Sequence, residues 1–372
     1  GNIGYDPKLC SLENNRDLAD FFKTFPKLHL KSVPDPFEKI WVKRPAIPAE
    51  PVRVMPENFS GRSAADKLQQ IRGEMSRRQI DFHLVCSLDD IAWTLNIRGN
   101  DVRHTPVTIS WLLIGLSEAI LYISPEKIDE EDRNYLEKSG VLIKGYDTIH
   151  KEIKDICLGK KVLIDPARTN MAFYQSLSGA AVIEEGRTLS TAMKAIKNET
   201  ELQGFRDAHI RDGAAMVKWM VWLHKEAGKA PHTEITIAEK LAKFRTQQPL
   251  FMDLSFESIP AFGPNGALPH YSAKAESAAE IPGEGLLLID SGAQYLDGTT
   301  DITRTFPLGN LDNAKIKKHY TLVLKGMIQL TLAKFPAGTA GNQLDAIARQ
   351  PIWNAGANYG HGTGHGVGHH LA

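Results

Sequence analysis

Pro34, Pro36, Pro45, Pro48 and Pro51 crowd the stretch between Val33 and Val52. Each removes a backbone donor and fixes φ, so no helix or central strand can run through these residues. The chain therefore divides here, and Lys43–Pro51 reads as a semi-rigid interdomain linker. The whole chain of 372 residues also exceeds one typical domain; at about 150 residues each it holds roughly two and a half. Charge narrows the function. Forty-four basic and 44 acidic residues cancel, which argues against a nucleic-acid surface. Apolar residues at 42% and charged residues at 24% suit a folded globular chain. Cys10, Cys86 and Cys157 are too few and too scattered for a disulfide framework or a C-x-x-C metal site. The apolar run Ile109–Leu116 falls well short of the roughly 18 residues a membrane span needs. No signal peptide is visible, so a reducing, cytoplasmic setting is expected, with no membrane and no nucleic-acid partner.

Ahead of the linker, residues 11–22 open on a capping serine and suit a short helix. Behind it the pattern alternates. Ser63 to Asp66 has capping-box spacing and opens a helix whose apolar face is Leu68, Ile71 and Met75. Strand-like runs follow at residues 82–86, 107–115, 119–123, 141–144 and 162–164, rich in Val, Ile and Leu. Helical stretches at 131–138 and 148–157 sit between them, which makes one α/β unit of about 140 residues. A third section begins at Asn198, where an N-cap is followed three residues later by Glu201, and Gly228 suits a helix end. The long helix between them should bury Leu202, Phe205, Ile210, Ala214, Met216, Val217 and Met220. A second helix spans about 236–247, and strands with glycine-bearing loops run from 253 to 306.

Chemistry concentrates in three places. Leu286, Leu287, Leu288 and Ile289 read as a buried strand that ends in Asp290, and a second strand over 299–306 carries Asp301. A buried carboxylate without a partner is costly, so Asp290 needs a cation or strong donors. Aspartate is equally at home in turns, and that reading stays open. A two-residue turn at Asp297-Gly298 would put Asp301 about 13 Å from the position opposite Asp290, too far to share a metal ion. Joint ligation is then expected to need a wider loop or a bulge near Gly292. The second place is His361-Gly-Thr-Gly-His365-Gly-Val-Gly368, too rich in glycine for a helix. It is either a flexible histidine-bearing loop or one that lets backbone and imidazole approach a ligand. The third is Ala261 to Tyr271, whose Gly-Pro and Asn-Gly turns place His270 in an ordered loop.

These three stretches together resemble the catalytic domain of the Xaa-Pro aminopeptidases, metallopeptidases of the pita-bread or creatinase-like fold. Residues 87–107 resemble the second domain of their long, three-domain form, and Ile3 to Pro7 with the linker resemble the end of a first domain. The resemblance implies an α/β (α+β) architecture: a first-domain remnant with linker at 1–51, a creatinase-like domain at 52–192, and a pita-bread catalytic domain at 193–372. It implies Asp290, Asp301 and His365 as metal ligands, and His270 and His361 as histidines orienting the substrate. Two divalent ions would be held, Mn²⁺ on hard-ligand grounds with Zn²⁺ or Co²⁺ as alternatives. They would carry a bridging hydroxide that attacks the carbonyl before proline, in peptides with proline second. A homodimer is expected as well. The alternatives are a prolidase cutting Xaa-Pro dipeptides and a non-catalytic pita-bread binding protein. In that family pattern another histidine and two glutamate ligands follow beyond Ala372. These residues are therefore expected to be a piece cut at both ends, inactive by itself and with strand edges exposed.

Overall fold

The computed structural model describes residues 1–372. Strands β1 (Asn2–Tyr5) and β2 (His29–Ser32) pair in parallel around α1 (Leu12–Phe22), whose N-terminus is capped by the Ser11 hydroxyl accepting from the Asn14 N–H at 3.1 Å. Residues 44–51 are exposed and form neither helix nor strand, as their prolines require. Then come β3 (Arg53–Val54), α2 (Glu57–Ser60), α3 (Ala64–Arg77), β4 (Phe82–Val85), α4 (Leu88–Leu95) and β5 (Ile97–Arg98), which pairs with β3. They are followed by β6 (Trp111–Gly115), β7 (Ala119–Tyr122), α5 (Glu130–Lys138), β8 (Val141–Lys144), α6 (Ile149–Ile156) and β9 (Lys161–Ile164). Helix α7 (Met171–Leu177), strand β10 (Val182–Glu185) and helix α8 (Leu189–Ala195) complete the unit.

One mixed sheet in the order β10-β9-β4-β6-β7-β8 organises it. Alternation along the strands feeds two cores. Val85, Leu112, Ile114, Leu121 and Leu163 face Leu68, Ile71 and Met75 of α3 and Ile91 of α4. Leu84, Leu113, Tyr122, Val162 and Ile164 face Leu12, Ile149, Ile153 and Phe173 from α1, α6 and α7. Both faces are thus covered. The expected strand at 107–115 begins only at Trp111; the Ile109 N–H is taken by the Asp101 carboxylate (2.6 Å), which also accepts the Thr108 hydroxyl (3.0 Å).

The second unit opens with α9 (Glu199–Glu226), whose capping box at Asn198 and Glu201 forms as its spacing predicts. Its buried face differs from expectation. Gly204, Ala208, Asp212, Ala215, Met216, Trp219 and Leu223 point inward, whereas Ile210 and Val217 are exposed. Small residues win because another chain segment runs against them: a Cβ on Gly204 would lie 2.1 Å from the Asp297 carbonyl oxygen. Helix α10 (Glu234–Arg245) is followed by β11 (Phe251–Leu254), β12 (Ile259–Phe262), β13 (Gly285–Ser291), β14 (Ala293–Tyr295), β15 (Gly298–Thr299) and β16 (Ile302–Leu308). They form two three-stranded sheets, β11-β14-β15 and β12-β13-β16. Leu287, Ile289, Phe306 and Leu308 pack on Met216, Trp219, Leu223, Ile237 and Leu241 of α9 and α10. The opposite face of that sheet, with Leu286, Leu288 and Asp290, is only half-buried. Helices α11 (Ala314–Leu332) and α12 (Gly341–Trp353) form a close pair through Gly326, where a Cβ would meet the Ala348 carbonyl oxygen at 2.1 Å.

Candidate metal and substrate site

The two carboxylates are brought together by register rather than by a wide loop. Tyr295 pairs with Gly298, so the tight turn is Leu296-Asp297, not Asp297-Gly298 as expected. Asp290 then lies opposite Thr303, and Asp301 sits one diagonal step away on the same face. The expected turn is therefore corrected, and of the two expected means of approach, a wider loop or a bulge near Gly292, the wider loop is not needed. The reason lies in α9. Gly298 is needed in the strand, where a Cβ would press on Ala208 (3.1 Å) and the Gly204 carbonyl oxygen (3.3 Å), and the Asp297 carboxylate pairs with Arg211.

Between the carboxylates the ladder opens at Gly292. A Cβ there would stand 2.0 Å from the Thr300 carbonyl oxygen and 2.2 Å from the Ser255 Oγ, so no other residue fits. Ser255 holds the opening by donating its hydroxyl to the Thr300 carbonyl (2.8 Å) and its N–H to the Gly292 carbonyl (3.2 Å). From below, Arg245 reaches the Gly292 carbonyl at 3.4 Å. Arg245 is itself fixed by Asp212 through bonds of 2.8 and 3.0 Å, and Tyr295 donates to the same Asp212 at 2.9 Å. Both charged side chains are fully buried, where such a pair is held only with good geometry.

Three features of the pair call for a cation. Asp290 Oδ1 is buried without a hydrogen-bond partner. The Asp301 carboxyl is pushed above its ordinary range by burial and then by the charge of Asp290, with His365 acting in the opposite direction. His365 Nε2 lies 3.5 Å from Asp301 Oδ2, while its Nδ1 lies 2.8 Å from the Gly366 carbonyl oxygen. A carbonyl can only accept, so Nδ1 carries a hydrogen, and Nε2 is the ring nitrogen turned towards the Asp301 carboxylate. Two carboxylate oxygens and one imidazole nitrogen suit a hard or borderline divalent ion such as Mn²⁺ or Zn²⁺. No three of these side chains are gathered closely enough to close on one ion by themselves.

The structure does not join the other two histidines to this group. His361 is exposed, its ring lies 4.8 Å from that of Tyr359, and its Nδ1 bonds the Gly362 carbonyl at 2.7 Å. His270 is exposed in a turn and makes no side-chain hydrogen bond. Its loop is nevertheless well fixed by Glu234, the first residue of α10. That fully buried carboxylate accepts from Phe262 N–H (2.7 Å), Asn265 Nδ2 (3.0 Å), Tyr271 OH (2.7 Å) and Ala279 N–H (2.8 Å). Sequence reading missed Glu234, and it missed Asp212 and Arg245. The available signal was a charge sitting on an otherwise apolar helix face, which demands a buried partner. It also missed Arg349 of α12, which donates to the Tyr359 (2.7 Å) and His361 (2.6 Å) carbonyls at the start of the glycine loop.

Two family models match consecutive parts of the chain. Residues 43–201 match the Creatinase/Prolidase N-terminal domain, and residues 203–372 match Metallopeptidase family M24. The chain is 39% identical over 374 residues to a probable Xaa-Pro aminopeptidase P of Sordaria macrospora, covering 97% of this chain and 61% of that protein. An X-prolyl aminopeptidase from Caenorhabditis elegans, described as a cytosolic enzyme with a di-nuclear active site, superposes with a TM-score of 0.94 at 35% identity. That match covers 100% of this chain and 61% of that one. A Xaa-Pro dipeptidase from Bacillus anthracis, at 24% identity and TM-score 0.64, shares the fold over 83% of this chain and 84% of its own. The chain thus spans about three-fifths of the length of the aminopeptidases it matches.

Proposed function

Because this chain belongs to metallopeptidase family M24, behind a creatinase/prolidase N-terminal domain, we propose that it serves a metal-dependent aminopeptidase. The reaction is removal of the first residue from peptides with proline in second position. The observation that carries this reading is the orphaned Asp290 carboxylate beside Asp301, with His365 Nε2 turned toward Asp301. Asp290, Asp301 and His365 would contribute ligands for two divalent ions, Mn²⁺ by preference. Bound there, the ions would activate water and polarise the scissile carbonyl.

The chain's own residues do the rest. Gly292 and Ser255 set the spacing of the two carboxylates, and the Asp212–Arg245–Tyr295 network keeps that spacing rigid. The half-buried face of the β12-β13-β16 sheet leaves room for substrate over Asp290. His361 and His270 are the imidazoles we assign to substrate orientation. An Xaa-Pro bond is a tertiary amide with no N–H, which a general peptide clamp cannot grip through that group, so dedicated side chains suit it. We read residues 1–51, 52–192 and 193–372 as the units, and a cytoplasmic homodimer as the working form.

The test uses the whole protein with Mn²⁺ and an Arg-Pro-Pro peptide. Release of arginine, lost in Asp290→Asn and in His365→Ala, is expected. Preference for Xaa-Pro dipeptides over the tripeptide would replace this reading with a prolidase. Absence of both Mn²⁺ binding and turnover would make the chain a non-catalytic relative.

A further inference from the structure

The segment that carries His365 is tied down at its two ends by arginines from different domains. Upstream, Arg349 of α12 donates to the Tyr359 and His361 carbonyls and lies 3.9 Å over the Tyr359 ring. Its Nε bonds Asp345 at 2.6 Å, and Asp345 also accepts the Thr363 hydroxyl. Downstream, the partner is Arg98 of β5, in the N-terminal domain. Arg98 donates from Nε to the His370 carbonyl at 2.7 Å and from Nη2 to the His369 carbonyl at 2.9 Å. Its Nη1 goes to the carbonyls of Ala92 (2.9 Å) and Ile97 (3.0 Å).

Arg98 is 2% exposed, and no carboxylate pairs with it. A buried guanidinium without a carboxylate partner is unfavourable unless its donors are satisfied, and here Nε and Nη2 are satisfied by residues 369–370. The next residue, Leu371, packs among Ala92, Trp93 and Val107 of the same domain. From the other side, Thr299 donates its hydroxyl to the Leu371 carbonyl at 3.0 Å.

Between Thr363 and Gly368 no residue outside the arc supports the backbone by a hydrogen bond. A Cβ on Gly362, Gly364 or Gly366 would meet no heavy atom within 4 Å. The His365 side chain is 73% exposed and bonds only the carbonyl of its own neighbour, Gly366. Glycine carries the greatest backbone freedom, so an arc of this composition stays where its ends place it.

We propose that Arg98 is a positioning residue for the cation site: from the N-terminal domain it fixes the downstream end of the glycine arc, and so sets where His365 meets Asp301. The proposal rests on His365 being a cation ligand, and the N-terminal domain then contributes to cation affinity without touching the ion. Arg98→Met keeps the length of the side chain and removes its donors, and Arg98→Lys keeps the charge with a different donor geometry.

The test combines backbone amide hydrogen exchange in the metal-free full chain with Mn²⁺ titration followed by the free-ion paramagnetic resonance signal. Arg98→Met is expected to speed exchange of residues 364–371 by about tenfold and to weaken Mn²⁺ binding by about tenfold, with Arg98→Lys between it and the parent. Amides of α3 and β13 should keep their rates. Thr299→Val, which loosens the same segment from the other domain, should act in the same direction by about threefold and decides the matter if Arg98→Met fails to fold. A folded Arg98→Met with unchanged loop exchange and unchanged Mn²⁺ affinity overturns the proposal, as does a uniform rise in exchange across both domains. If the parent itself binds no Mn²⁺, the proposed function fails, while the exchange experiment still decides whether Arg98 holds the arc.

Discussion

The two sheet systems of this chain are finished differently. The six-stranded sheet is sandwiched between helices, with an apolar core on each face. The β12-β13-β16 sheet is packed by α9 and α10 on one face, and the other is left half-open around Asp290. The contrast separates two jobs. The first sheet spends its alternation on two cores and gains a rigid platform that carries β5 and Arg98. The second gives up one core face, and that concession leaves a carboxylate beside a reachable surface. The proposed cation site sits where burial is incomplete, above the buried Asp212–Arg245 pair.

Four experiments would break or sharpen that comparison. The largest effect is expected from Arg245→Met, which strands the buried Asp212 carboxylate. Loss of one partner of such a pair costs about 3–5 kcal/mol, read from urea denaturation. A cost below about 1 kcal/mol would show that the pair does not support this half of the chain. Next, Ile71→Ala in the closed sandwich should cost about 2–5 kcal/mol, whereas Met327→Ala on the exposed side of α11 should stay within about 0.5 kcal/mol. Equal costs would erase the distinction between the finished and unfinished halves.

Acid sharpens it further. His83 is fully buried in β4, its Nδ1 bonding the Leu163 carbonyl (3.2 Å) and its Nε2 accepting from the Leu189 N–H (3.2 Å) at the start of α8. Burial lowers its pKa from 6.5 to about 4. The unfolded chain therefore binds a proton that the fold refuses, and stability falls as pH drops from about 6.5 towards 4. It is fully present above 6.5. One such group contributes a slope of at most about 1.4 kcal/mol per pH unit. Denaturation midpoints at pH 7, 6 and 5 should show it, and His83→Gln should flatten it. An unchanged slope in that variant would assign the acid sensitivity elsewhere. His369, at the domain boundary, is pushed the same way, to about 3, by burial and by Arg98. The smallest effect is expected from Asp290→Asn. It relieves the repulsion with Asp301, so metal-free stability should hold or rise by up to about 1 kcal/mol while the thermal shift produced by Mn²⁺ disappears. A clear loss of metal-free stability would mean that Asp290 serves the fold rather than a cation.

Local signals carried much of this into the sequence. Ser11, Ser63 and Asn198 cap the helices their spacing announces, because a cap needs only a side-chain oxygen and the next three residues. Prolines mark the linker for an equally local reason. Strand β10 and helices α4, α7 and α8 escaped notice: each is seven or eight residues or fewer, too short for a period to declare itself. The inward face of α9 departs from its apolar pattern in part: Met216 is buried, but Ile210 and Val217 are exposed. Gly204 and Ala208 are inside since β15 and its turn run against them, a fact about a neighbour.

Residue type and order alone pointed to a strand over 286–290 that carries Asp290, to a non-helical 360–368, and to a turn-rich loop around His270. Each follows from backbone chemistry within a few residues. Tertiary structure decided whether the donors meet. The hairpin turns one step earlier because Gly298 and Asp297 answer to α9, and that step brings Asp301 beside Asp290. Likewise, His365 is placed by Arg349 and Arg98, from positions 16 and 267 residues away in the chain. A hydrogen bond between such distant residues leaves no period and no motif, because it is specified by the packing that surrounds it.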